Sequence, residues 1–189
     1  SSHDHHSHMS FVGLEYFHDG DARYTWLNDQ KIKRQNLGIL IDTGAPTSAC
    51  GMSWLERYIQ VYKLENYVTW EPANTSIGGI GEGRATVNWI ATLPIGVKWN
   101  SPSGQTLWRV QCLEGCGQHV PPLLGLDTLQ RRNATLNMSK PSLTLDEPDG
   151  SRHAYELHFC HGHLILPVDK WDNSYGVAFP CRDTFCKEP

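Results

Sequence analysis

The residues best suited to chemistry lie in Ile39-Leu40-Ile41-Asp42-Thr43-Gly44-Ala45. An apolar strand that delivers a carboxylate onto a small, hydroxyl-bearing turn holds the acid in a partly dry place, where desolvation and neighbours act on its charge. Gly44 lets other backbone come close to it. Asp-Thr-Gly alone is common in turns and Asx-type caps, so the triplet needs support from elsewhere in the chain. Ser76-Ile77-Gly78-Gly79-Ile80-Gly81-Glu82-Gly83 carries four glycines in six positions between two strand-like segments. That composition reads as a mobile hairpin tip able to close over a bound chain. Leu123-Leu124-Gly125-Leu126-Asp127-Thr128-Leu129 reads as an apolar strand turning through glycine into a helix.

The elements that must position these groups are mostly short strands. Leu37–Ile41 is a buried apolar strand ended abruptly by Asp42-Thr43-Gly44. Ser53 is placed to cap a helix over Trp54–Lys63, whose Trp54, Leu55, Tyr58, Ile59 and Tyr62 recur at helical spacing. Strands are expected at Ala85–Leu93, with Trp89 and Ile90 breaking strict alternation, at Ile95–Trp99 and, after a turn over Asn100–Gln105, at Leu107–Cys112. Beyond Pro121-Pro122 comes the Leu123–Gly125 strand, then a short helix capped by Asp127 and ending near Asn133. Leu143–Leu145, Tyr155–Phe159 and Leu164–Pro167 complete the strands, separated by turns at Glu147–Gly150 and His161–His163. No internal repeat or long linker divides the chain.

Asp-Thr-Gly-Ala after an apolar strand, the Ile-Gly-Gly-Ile-Gly segment and Leu-Leu-Gly-x-Asp stand in the order and rough spacing of retropepsins. Over about residues 36–145 the chain resembles these retroviral-type aspartic proteases, most nearly those of retrotransposon Gag-Pol polyproteins. The resemblance implies an all-β fold, a closed barrel or sandwich with one or two short helices and flaps, assembled as a homodimer. It makes Asp42 the catalytic aspartate, Thr43 the hydroxyl that locks two active-site loops together across the dimer, and Gly44 a backbone contact for substrate. Ile77–Gly83 become the flap. Ala45, Pro46, Ile77, Gly78, Gly79, Ile80, Gly81 and Leu123 become the substrate-binding residues. Of these, Ala45, Pro46, Ile77, Ile80 and Leu123 imply a preference for large hydrophobic side chains. Gly125 and Asp127 become support for the active-site loop. Many viral members pair an acidic residue after Asp-Thr-Gly-Ala with an Arg after the later Gly; here Pro46 and Leu126 replace both partners together, which leaves no partly buried charge unpaired.

The implied chemistry is peptide hydrolysis by two carboxylates sharing a proton. One activates water as general base while the other protonates the carbonyl oxygen, and a proton later reaches the leaving amine. A chain of 189 residues with one Asp-Thr-Gly is too short to carry the motif in two lobes, so two copies must meet, most simply about a twofold axis. The substrate would be an extended polypeptide, a retroelement polyprotein, and the setting cytoplasmic, in a host cell or virus-like particle. A module of the same fold that dimerises or binds peptides without cutting them is the alternative.

Other constellations carry less. Cys112, Cys116 and His119 lie close in sequence, and His158, Cys160, His161 and His163 crowd one hairpin, but neither shows the matched pairs of a zinc site, so no metal and no cofactor are expected. The His-rich hairpin reads as a solvated turn. Cys50 or Cys112 as the nucleophile of a Cys-His protease lacks a local signature. The six cysteines, which also include Cys181 and Cys186, would form disulfides only in an oxidising compartment; with no export pattern, thiols are expected. Sequons at Asn74, Asn133 and Asn137 would matter only in a secreted protein. A net charge of −4 gives no electrostatic case for nucleic acid, and no apolar run reaches membrane-spanning length. Residues 1–9 read as a purification-tag remnant, 10–145 as the protease domain, and 146–189 as a C-terminal extension packed on the same domain, with a flexible tail.

Overall fold

The computed structural model describes residues 37–171 apart from 79–82, 98–99, 102–103, 148–149 and 161. The chain enters as β1 (Gly38–Ile41), turns through Asp42–Ser48 and continues as β2 (Ala49–Gly51) directly into helix α1 (Met52–Tyr62). A long hairpin follows, β3 (Thr69–Gly78) and β4 (Arg84–Pro94), then β5 (Gly96–Val97), the small pair β6 (Asn100–Ser101) and β7 (Gly104–Gln105), and β8 (Leu107–Gly115). After β9 (Leu123–Leu124) and helix α2 (Leu126–Arg131) come β10 (Thr135–Asn137), β11 (Ser142–Asp146), β12 (Arg152–Glu156), β13 (His158–Cys160), β14 (His163–Pro167) and β15 (Asp169–Lys170).

The architecture is mostly β-sheet with two short helices, as expected, but it does not close. Eight strands run in the order β13-β14-β1-β9-β2-β8-β4-β3, and β3 and β13 stand at opposite ends without pairing to each other. The closed barrel expected from the sequence is therefore absent among the described residues. Each central strand pairs on both edges inside the sheet, so among the described residues only its two end strands, both in hairpins, have an edge without a partner strand. A second sheet, β10-β11-β12, lies beside the first.

At the centre of the large sheet, β9 pairs parallel with β1 (Leu40 opposite Leu123) and antiparallel with β2 (Ala49 opposite Leu123). The Asp42–Ser48 loop therefore spans a strand that arrives some eighty residues later in the chain. On its outer edge β1 pairs antiparallel with β14, Gly38 opposite Pro167 and Leu40 opposite Ile165. The strand that leads to Asp42 is thus flanked on one side by a segment of the expected C-terminal extension.

The main core fills one face of the sheet under α1, whose Trp54 stacks on Tyr58 at 5.0 Å between centroids and meets Trp108 edge-on at 6.4 Å. Tyr58 is buried, and its hydroxyl donates to the Val168 carbonyl (2.6 Å) and accepts from the Gly96 amide (3.1 Å). Burial pushes the Tyr58 phenol well above its ordinary range.

Several local expectations shift. Helix α1 begins at Met52 with Gly51 as N-cap and no side-chain cap, not at Ser53. The amides of Gly51 and Ser53 instead donate to the carbonyls of Val120 (2.8 Å) and Gln118 (3.2 Å), so tertiary backbone satisfies groups that a side-chain cap would otherwise serve. A Cβ on Gly51 would lie 2.3 Å from the Gln118 oxygen. The broken alternation at Trp89-Ile90 is a β-bulge, the register of β4 against β8 shifting between Val87 and Trp89. Tyr155–Phe159 is not one strand: β12 pairs with β11, β13 pairs with β14, and the chain changes sheets at Leu157.

Candidate active site

Asp42 sits half-buried at the end of β1, and Thr43 and Gly44 form an exposed turn. The Asp42 amide donates to the Leu124 carbonyl (3.1 Å), which ties the acid to the neighbouring strand. Its Oδ1 accepts from the Gly44 amide (2.9 Å), and its carbonyl accepts from Ala45 (3.2 Å). This is an Asx-type turn in which the Gly44 amide orients the carboxylate. Thr43 lines a surface cleft of about 440 Å³ together with Ile41, Leu126, Leu129 and Leu136.

The rest of the loop is clamped by α2. Leu126 and Asp127 donate their amides, which lie in the first turn of the helix, to the carbonyls of Ala45 (2.8 Å) and Pro46 (3.1 Å). Two backbone hydrogen bonds, rather than a charged pair, thus join the loop to the helix. The loop ends in Ser48, 1% exposed, whose amide (2.8 Å) and hydroxyl (3.0 Å) both donate to Asp127 Oδ1. The Ser48 oxygen also accepts from the Gly125 amide (3.1 Å) and lies 2.9 Å from Thr128 Oγ1. Asp127 is therefore not the helix cap expected from the sequence. The N-cap is Gly125 in extended conformation, without a side-chain cap bond, and Asp127 sits in the first turn, where it also accepts from the Thr128 amide (2.7 Å). Ser48 is the residue that sequence reasoning missed. Its signal was weak: a hydroxyl next to two apolar residues, with its partner 79 positions away.

Side chains alternate across β1, with Ile39 in the main core and Leu40 on the opposite face, packed with Ile165 and Leu123. Asp42 follows β1 two residues beyond Leu40, and the alternation of the strand, carried one residue past its end, assigns it to that opposite face. Leu123 also packs against the cluster of Ala49, Ala85, Val87, Leu113 and Val120, which Ile77 joins from near the tip of the long hairpin. The structure thus joins two of the expected substrate-binding residues, Ile77 and Leu123, to one apolar floor. Ala45 is half-buried on the loop, Pro46 is exposed, and Gly78 is exposed at the end of β3 beside Arg84, which bonds Ser76 Oγ (3.0 Å) across the hairpin. Gly79, Ile80 and Gly81, the expected flap tip, lie outside the described residues, as do His161, Cys181, Cys186 and the expected tag.

The competing nucleophiles are poorly placed. Cys50 and Cys112, opposite each other on β2 and β8, are free thiols buried in the main core. Burial pushes Cys50 well up, and Cys112 up to about 12, so neither is a thiolate at neutral pH. Cys116 is free and exposed near Gly83. Among the described residues no group of three or more His, Cys, Asp and Glu side chains is arranged to hold a metal ion. Compared with protein-family models, with curated proteins and with solved structures, the chain has no significant match.

Proposed function

We propose that this protein is an aspartic endopeptidase of the retropepsin type, working as a twofold homodimer in which the Asp42 carboxylates of two copies share one proton around a water molecule. The observation that supports this reading best is the placement of Asp42. It stands at the end of a buried strand, its carboxylate held by the Gly44 amide, on a loop braced by α2 and next to Leu40, whose apolar face continues through Leu123 to Ile77 near the tip of the glycine-rich hairpin. One carboxylate acts as general base on the water, and its twofold mate protonates the carbonyl oxygen of the scissile bond. The substrate is an extended polypeptide with large hydrophobic residues near that bond, bound as a strand under two flaps. A retroelement polyprotein cut in the cytoplasm or in a particle is the corresponding biological setting, and neither cofactor nor nucleic acid enters the reaction. No helix among the described residues is long and apolar enough to cross a membrane.

The test is cleavage of hydrophobic peptides across about pH 4 to 7, with oligomeric state followed by sedimentation. Activity that rises with the dimer fraction supports the shared pair. A well-folded dimer that binds such peptides and cuts none sinks the peptidase reading in favour of a peptide-binding module.

A further inference from the structure

Two thiols that the proposed chemistry leaves unused stand opposite each other where the Asp42 loop ends. β2 and β8 run parallel with Cys50 paired to Cys112, between the pairs Ala49–Gln111 and Gly51–Leu113. Both side chains are on the same face of the sheet, buried and free in the main core. Neighbouring strands lie about 4.7–4.9 Å apart, inside the separation of about 4.4–6.8 Å that disulfide-bonded Cα atoms adopt. In the reduced protein each sulfur turns to a carbonyl of its own strand, Cys50 to Gly51 (3.3 Å) and Cys112 to Val110 (3.8 Å). Burial raises both thiols, and the nearby Cys112 adds to the effect at Cys50.

Backbone ties this pair to the candidate site. Cys50 follows Ser48 by two residues, and Gln111, next to Cys112, donates its amide to the Ser48 carbonyl (3.1 Å). Ser48 in turn closes the loop of Asp42 onto Asp127. We propose that Cys50 and Cys112 form a redox-sensitive switch: reduced, they leave the loop clamped, and oxidised by hydrogen peroxide they cross-link β2 to β8 and draw Ser48 out of its clamp. One sulfur, as thiolate, attacks a peroxide oxygen, breaks the O–O bond and becomes a sulfenic acid. The other attacks that sulfur, forms the S–S bond and expels hydroxide. The sulfurs lose two electrons, and the peroxide, taking the two thiol protons, leaves as two waters. A thiol reductant reverses the step by exchange. The displacement follows from geometry: a disulfide holds its Cβ atoms about 3.8 Å apart, about 1 Å less than the strand spacing, so β2 must move toward β8. The consequence for cleavage rests on the peptidase reading, in which a shift of about 1 Å in the loop can cost about 100-fold in rate.

The test treats the full chain with hydrogen peroxide, alkylates the remaining thiols in denaturant and maps peptides by mass spectrometry without reduction. The peptides bearing Cys50 and Cys112 should be recovered joined. The Ser48 amide should exchange with deuterium about tenfold faster in the oxidised protein, the size expected for loss of one hydrogen bond to a carboxylate. Peptide cleavage should fall by about tenfold or more. Dithiothreitol should undo all three changes, and Cys112→Ala should keep its cleavage rate under the same peroxide. Recovery of Cys50 and Cys112 as separate alkylated peptides, while the exposed Cys116 is oxidised, overturns the inference. So does a cross-link that leaves Ser48 exchange unchanged. Mapping and exchange are read on the wild-type chain and decide the matter even if Cys112→Ala does not fold. If the cross-link forms and frees Ser48 while the reduced protein cleaves nothing, the switch stands and the peptidase reading falls.

Discussion

Ser48 and Asp127 meet through a single oxygen: Asp127 Oδ1 accepts from both the amide and the hydroxyl of Ser48, at 2.8 and 3.0 Å. This contact closes the loop that begins at Asp42 onto the first turn of α2. The carboxylate that bears the proposed chemistry is thus positioned by a second carboxylate used purely as an acceptor. Ser48→Ala removes the hydroxyl but leaves Asp127 and the Gly125 amide short of a partner, at an expected cost of about 1–3 kcal/mol in chemical denaturation. Asp127→Asn keeps an acceptor oxygen in place, and should therefore be milder than Asp127→Ala. Equal losses for the two would mean that the negative charge, not the acceptor geometry, holds the loop.

Asp42→Asn retains the oxygen that accepts from Gly44, so the turn should persist and thermal stability should change little. Peptide cleavage should fall by about 10²–10⁴-fold or more, because an amide neither takes nor gives the shared proton. Cleavage at the wild-type rate by this variant would end the carboxylate mechanism.

Gly125 carries the close approach between α2 and the loop. A Cβ there would lie 2.5 Å from the Thr47 carbonyl carbon, 2.6 Å from its oxygen and 2.8 Å from the Ser48 nitrogen, all of them backbone atoms that cannot rotate away. Gly125→Ala should destabilise the fold by about 1–3 kcal/mol and lower peptide cleavage by displacing the loop that bears Asp42. An alanine variant with unchanged melting temperature and rate would show that the loop is free to shift.

Alkaline pH should unfold this protein early. Burial raises the Tyr58, Tyr155, Cys50 and Cys112 groups above their ordinary values, with Glu147 adding to the effect at Tyr155 and Cys112 adding to it at Cys50. The folded state then holds these protons more tightly than the unfolded chain, whose thiols and phenols ionise near about 8.5 and 10. The stability they contribute is complete below those values and is lost as pH rises through and beyond them. Urea midpoints should therefore fall steadily above about pH 8.5. Tyr58→Phe should flatten part of that decline while costing about 1–3 kcal/mol near neutrality, through loss of the bonds to Val168 and Gly96. A midpoint independent of pH up to about 11 would contradict the burial of these groups.

The elements around the candidate site were legible because their signals are local. Four apolar residues stopped by Asp-Thr-Gly, glycines clustered between two strands, and Leu-Leu-Gly before a helix are each written within a few consecutive residues, as are the helical spacing of Trp54, Leu55, Tyr58 and Ile59 and the bulge at Trp89. The helix starts were misplaced because the N-terminal amides of α1 and α2 are satisfied by the carbonyls of Gln118, Ala45 and Pro46, which no local cap signal encodes.

Which residues could furnish an acid, a turn and a flexible hairpin was determined by the sequence itself, since those properties belong to side-chain type and to periodicity over a few residues. What surrounds the loop of Asp42 was decided only by the tertiary structure: β9 inserted between β1 and β2, Ser48 locked onto Asp127, the large sheet left open among the described residues, and β14 returned from late in the chain to pair with β1. Strand pairing at such separations is selected by the burial of whole faces and by the need to satisfy every interior amide and carbonyl, a condition on the assembled chain that no short segment records.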